Sequence, residues 1–149
     1  MEIFKIEDLS FAYPEQENNV LESVDLSIKQ GDFTIIFGAS GSGKTTLLRM
    51  LKRELAPHGK KEGTVYYKDQ ELNELNDRTA ATDIGYVMQN PETQIVTDKV
   101  WHELAFGLEN LGYDTQTIRR RVGEIATFLV SIPGFAKKQQ NYLAVKSNY

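Results

Sequence analysis

Apolar and polar positions along the chain change period several times, and each change marks an element. Phe4 to Tyr13 is dominated by apolar positions and predicts a strand that turns at Pro14. The polar stretch Glu15 to Asn19 is a loop, and Val20 to Lys29 alternates enough for a second strand. Gln30-Gly-Asp32 is a turn into Phe33-Thr-Ile-Ile-Phe37, an apolar, β-branched run of the kind found in buried parallel strands. Thr46 to Leu55 follows a helical period, with Leu47, Leu48, Leu51 and Leu55 along one predicted face. Ala56-Pro-His-Gly59 stops that helix. Gly63 to Lys68 predicts a hairpin strand, Glu71 to Asp77 a polar loop or short helix, and Ile84 to Met88 a short apolar strand that ends at Gln89-Asn-Pro91. Val100 to Leu111 and Thr117 to Leu129 are both helical in pattern. The sum is an α/β domain with an antiparallel β portion beside it.

Between the Phe33–Phe37 run and the first helix stands Gly38-Ala-Ser-Gly-Ser-Gly-Lys44-Thr45, which fits the phosphate-loop pattern Gly-x-x-x-x-Gly-Lys-[Ser/Thr] at every position. Strand, glycine loop and helix in that order are the context the motif requires. Gly38, Gly41 and Gly43 lack Cβ atoms, so the backbone bends sharply and comes close to an anion. Successive N–H groups then form a concave anion site. Lys44 is placed to reach the β- and γ-phosphates of ATP, and the Thr45 hydroxyl to hold Mg²⁺. Ala39, Ser40, Ser42 and Thr46 complete the candidate nucleotide site. A glycine-rich turn without a ligand is the plainer alternative.

Composition narrows the classes further. A chain of 149 residues is about one domain long, and its net charge of −4 argues against a dedicated nucleic-acid binder. It holds no cysteine, which excludes disulfides and thiolate metal sites, and its two histidines, His58 and His102, form no metal-ligand cluster. No apolar run approaches the length that crosses a bilayer, and the N-terminal residues show no signal-peptide pattern. Membrane contact is therefore expected through a partner rather than by insertion. Among phosphate-loop proteins, a GTPase would need an Asp-x-x-Gly segment and an Asn-Lys-x-Asp base reader, and neither occurs. A nucleoside-type kinase usually carries the loop near its N-terminus, whereas Gly38 follows two predicted strands.

Leu9-Ser-Phe-Ala-Tyr13, the phosphate loop and Ile84-Gly-Tyr-Val-Met-Gln89 together resemble the nucleotide-binding subunits of ABC transporters. Gln89-Asn-Pro-Glu-Thr-Gln94, followed by Trp101-His-Glu-Leu-Ala-Phe-Gly-Leu-Glu-Asn110, is similar to the energy-coupling-factor group, whose ATPases drive vitamin and metal-ion uptake. The resemblance covers residues 1 to about 129. It implies a phosphate-loop NTPase core of ABC type with part of the helical subdomain. Tyr13 then corresponds to the aromatic that stacks on adenine, the alternative being an ordinary strand aromatic. Gln89 corresponds to the glutamine that touches Mg²⁺ and the attacking water and links the site to the membrane partner, the alternative being a solvated amide. With Lys44, Gln89 is a candidate catalytic residue; with Thr45, a candidate metal ligand. Val100 to Leu111 would dock on a transmembrane subunit, with Trp101 and Phe106 either serving that contact or filling a core. The implied partners are that subunit and a second ATP-binding domain, and the implied location is peripheral, on the cytoplasmic face of the cell membrane.

The chain also departs from the family pattern. A Leu-Ser-Gly-Gly-Gln signature, an apolar strand ending in Asp-Glu and a later histidine are missing; the nearest imitation, Val65-Tyr-Tyr-Lys-Asp69, has a lysine inside it and precedes Gln89. The resemblance therefore implies ATP binding without efficient hydrolysis, and a non-transport nucleotide-binding fragment is the alternative. Back-translation of Asn141-Tyr-Leu-Ala-Val-Lys-Ser-Asn-Tyr149, read from the third base of the Asn141 codon, forces Leu and then permits Ser-Gly-Gly-Gln-Lys-Gln before a second forced Leu. That is the family signature in another frame. A single-nucleotide frameshift near Leu129 is accordingly expected, with residues 130–149 an aberrant tail, the alternative being a natural short protein with a variable tail. Loss of the family's later strands is expected to leave an unpaired sheet edge and poor solubility.

Overall fold

The computed structural model describes residues 1–131, and the aberrant tail expected at 130–149 lies outside them except for its first two residues. The described residues form two compact units, Met1–Tyr86 and the part from Val87 onward. The first unit is built on an antiparallel sheet of β1 (Glu2–Ala12), β2 (Leu21–Lys29), β3 (Lys60–Tyr67) and β4 (Gln70–Glu71), in the order β2-β1-β3-β4. Its helices are α1 (Lys44–Met50) and α2 (Asp77–Asp83).

Strand β1 carries a bulge at Asp8, where the register against both neighbours shifts. Asp8 has φ +49°, and its N–H donates to Asp25 Oδ1 at 2.9 Å. Because a bulge inserts one residue, the inward series runs Ile6, Leu9, Phe11 instead of keeping strict alternation. Gly63 on β3 lies against this bulge at φ +81°, and a Cβ there would fall 2.2 Å from the Asp8 carbonyl oxygen. Only glycine fits both the conformation and the space.

One face of the sheet packs on α1 and the segment after β4. Ile6, Leu9, Phe11, Val65 and Tyr67 from the strands meet Leu47, Met50 and Leu51 from α1, together with Leu72, Leu75, Ala80 and Ile84. Arg53 ties these layers: Nη1 donates to the Leu75 carbonyl at 2.6 Å and Nη2 to Asp77 Oδ1 at 2.7 Å. Lys52 Nζ donates to the Ala80 carbonyl beside it. Helix α2, which falls beyond the predicted Glu71–Asp77 loop, starts where the Asn76 side chain accepts the Thr79 N–H at 2.8 Å.

Three expectations need correction. Phe33–Phe37 is not a strand in the described structure: Phe33, Ile35 and Phe37 are 91%, 69% and 89% exposed, and Ile36 alone packs against the core. Ile84–Met88 is not a strand either, although Ile84 enters the core. A parallel strand is held by neighbours on its edges, and among the described residues no strand pairs with either run. The third correction concerns the helix after the phosphate loop. It ends as an α-helix at Met50, continues only as a single 3₁₀ turn at Arg53–Leu55, and turns Leu48 outward.

The second unit is a helical hairpin of α3 (Val100–Asn110) and α4 (Thr115–Ser131). Ala105, Ile118 and Val122 are its buried residues, flanked by Leu104, Leu108 and Tyr113. Gly112 at φ +72° ends α3, while the Asp114 carboxylate accepts the Thr117 N–H at 2.9 Å and the Thr117 hydroxyl at 2.6 Å to start α4. Those two bonds, the hydroxyl first, hold the Asp114 carboxyl below the usual carboxylate range. Trp101 and Phe106 lie outside the buried set, so neither fills the core of this hairpin.

Candidate nucleotide-binding site

The loop from Gly38 to Gly43 joins the exposed Phe33–Phe37 run to α1. Gly43 is the N-cap of α1, at φ +83°, and its carbonyl accepts the Leu47 N–H at 2.8 Å. A Cβ at Gly43 would fall 2.8 Å from the Val20 carbonyl oxygen and 3.1 Å from Leu21 Cδ2. The glycine thus serves two demands at once: a left-handed cap and contact with the start of β2. Within the loop, the Ser42 N–H donates to the Ala39 carbonyl at 3.3 Å and closes a tight turn.

Lys44 folds back over this turn. Its Nζ donates to the carbonyls of Gly38 and Ala39 at 2.9 and 2.6 Å, and to Ser42 Oγ at 3.3 Å. The ammonium is therefore held inside the curve of the loop by the loop's own oxygens. No side chain caps the first turn of α1, and that turn holds no acidic residue. An anion approaching it meets one cation, free-facing N–H groups and the exposed Thr45 hydroxyl, with no carboxylate in the first turn to repel it. This donor set fits the phosphates of a nucleotide.

Tyr13 is brought to the same place. Its hydroxyl is 3.1 Å from Thr46 Oγ1, and its ring meets Phe11 edge-on at 5.0 Å and 82°. The contact with Thr46 spans 33 positions and has no signature in the local pattern.

Gln89 belongs to the second unit and is exposed there. The loop that bears it is braced by neighbours that the sequence pattern did not single out as functional. Gln94 Oε1 accepts the Met88 N–H at 2.8 Å, next to Gln89 in the chain. Glu103 Oε2 accepts the N–H groups of Val96 and Thr97 at 3.1 and 2.8 Å and the Thr97 hydroxyl at 2.9 Å. The spacing of Gln94 from Gln89, and of Glu103 within the first turn of α3, was the available signal. Among the described residues no group of three or more His, Cys, Asp or Glu is arranged to hold a metal ion. No described helix is long and apolar enough to cross a membrane.

The family model described as ABC transporter matches residues 21–144. An ABC transporter ATP-binding protein of Bacillus cereus is 46% identical over 125 residues, covering 84% of this chain and 23% of that protein. The energy-coupling factor transporter ATP-binding protein EcfA of Syntrophomonas wolfei is 32% identical over 142 residues, covering 95% of this chain and 51% of that protein. Among solved structures, cbiO1 from Clostridium perfringens, part of the ABC transporter complex cbiONQ, superposes with TM-score 0.68 at 27% identity over 83% of this chain and 48% of its own. A dimeric ATP-binding cassette bound to ADP and Pi gives TM-score 0.67 at 26% identity, over 89% and 60%. The chain thus spans about half the length, or less, of the curated relatives it matches. These likenesses show an α/β ATP-binding cassette of which this chain carries a part, with an antiparallel sheet and helices in place. With the family model covering most of its length, the chain belongs to the ABC transporter family.

Proposed function

We propose that the chain is the nucleotide-binding part of an ATP-binding subunit of an energy-coupling-factor-type importer, and that it binds Mg²⁺·ATP. The observation that carries this reading is the placement of Lys44 inside the Gly38–Gly43 turn, beside an uncapped helix start. Lys44 would exchange its bonds to the Gly38 and Ala39 carbonyls for phosphate oxygens. Thr45 would contribute one hydroxyl to Mg²⁺. Phosphate oxygens and water would be further ligands, as is usual for this ion. Tyr13 would offer its ring to the adenine.

The finer assignment is supported by the EcfA likeness and by the segment from Gln89 to Asn110. The partners would be a transmembrane subunit and a second ATP-binding domain, with the chain peripheral at the cytoplasmic face. Co-expression with the transmembrane subunit of an energy-coupling-factor importer checks this: ATP-dependent co-purification is expected. Pairing only with transmembrane subunits of other importers would keep the ATP-binding role and reject the subclass.

We also propose that residues 130–149 are translated out of frame. Their codons give a direct check. In the frame starting at the third base of the Asn141 codon, glycine codons are expected across Leu143–Ala144 and Ala144–Val145. Cys, Arg or Ser codons at the first of these would reject the proposal.

A further inference from the structure

Tyr13 and Thr46 tie the end of β1 to the phosphate-loop helix through their side-chain oxygens. Thr46, at 6% exposure, is the only buried polar residue among those described. Its Oγ1 lies 3.1 Å from the Tyr13 hydroxyl, and either atom can be the donor. Seen from Tyr13, the ring is fixed at both ends: edge-on against buried Phe11, and by the hydroxyl at its tip. A platform for a purine needs an aromatic face, and phenylalanine supplies one as well as tyrosine does. The hydroxyl therefore has a separate task.

We propose that the Tyr13 hydroxyl is a positioning group for the phosphate loop. Thr46 is the third residue of α1, directly after Lys44 and Thr45. A bond on its side chain sets the rotation and height of the first helical turn, and with it the direction in which Lys44 and Thr45 leave the backbone. Because Thr46 is buried, its hydroxyl has no bulk water to replace a lost partner, and an unmet bond there is costly. The same residue that would receive the base thus helps to shape the seat of the triphosphate. The inference rests on the nucleotide-binding reading and adds that the two ends of the site are coupled through one side chain.

Inorganic tripolyphosphate with Mg²⁺ separates the two roles, because it has phosphates and no base. Titrations of the full chain are expected to show that Tyr13→Phe weakens tripolyphosphate roughly two- to tenfold, and ATP by the same factor. Thr46→Ser, which keeps a hydroxyl, is expected to lose less affinity than Thr46→Val, which does not. In a Thr46→Val background, Tyr13→Phe should have no further effect, as expected for two partners of one bond. Unchanged tripolyphosphate affinity in Tyr13→Phe overturns the inference and leaves Tyr13 as a base platform only. So does a full loss from Tyr13→Phe in the Thr46→Val background, which would place the hydroxyl's partner elsewhere. Should Tyr13→Phe melt early, Thr46→Ser and Thr46→Val decide the matter: equal losses from both overturn it. Failure of the wild-type chain to bind tripolyphosphate and ATP rejects the nucleotide reading, and this inference with it.

Discussion

Lys44→Ala lowers the affinity of the chain for Mg²⁺·ATP by about 100-fold or more and leaves its melting temperature nearly unchanged. The two halves of this expectation have different sources. Among the described residues, Lys44 Nζ bonds to Gly38 O, Ala39 O and Ser42 Oγ, all in an exposed loop. Bonds of that kind contribute little to folding, because water replaces them when they are lost. Facing phosphate, the same ammonium makes charge-assisted bonds to a multiply charged group, and these are roughly twice as strong as neutral ones. Two such bonds account for a factor of about 100 in affinity. Lys44→Arg should recover part of the loss, since it restores the charge but not the compact point geometry that fits inside the Gly38–Gly43 turn. Calorimetric titration and a thermal melt on the same samples check both halves. An ATP affinity indifferent to Lys44→Ala would mean that nucleotide binds elsewhere or not at all.

Much of the site was legible because its chemistry is contiguous. Gly38 to Thr45 spells its own geometry: the glycines, the lysine and the helix that follows all lie within one short segment, and the structure keeps them together. Strands β1, β2 and β3 were legible for a similar reason, since each is announced by a local run of apolar or alternating residues and pairs with a neighbour in the sheet. What escaped was anything set by a distant partner. The Asp8 bulge depends on Asp25 and Gly63, and nothing in the Leu9-Ser-Phe-Ala-Tyr13 segment announces it. Helix α2 is anchored by Arg53 and capped by Asn76, so its stability comes from contacts more than from an apolar period. Tyr13 was legible only as a candidate platform for the base and illegible as a partner of Thr46.

The two missed strands show the limit of pattern most directly. Phe33–Phe37 and Ile84–Met88 have the composition of buried strands, but composition only states what a segment would gain from neighbours. Without a ladder partner among the described residues, the Phe33–Phe37 backbone remains unpaired and three of its side chains face outward. The phosphate loop is therefore mounted on an apolar support that the first unit does not itself cover.

That exposed support should govern the behaviour of the isolated chain. Phe33, Ile35 and Phe37 alternate along one short run, so a neighbouring molecule offering an extended edge meets both apolar side chains and unpaired backbone groups. Self-association through this run is the expected consequence, with solubility falling as concentration rises. The double variant Phe33→Lys/Ile35→Lys places two like charges there and stays several residues from the loop. It should raise the concentration at which the chain remains monomeric by about tenfold or more. Its melting temperature should not fall, because neither side chain belongs to the set packed around Leu9, Phe11 and Met50. Light scattering across a concentration series, paired with a thermal melt, measures both quantities. A drop of many degrees would show that Phe33 and Ile35 are packed in solution. An unchanged association threshold with an intact fold would move the sticky surface elsewhere, with exposed Val87 and Phe128 of the second unit the next side chains to replace.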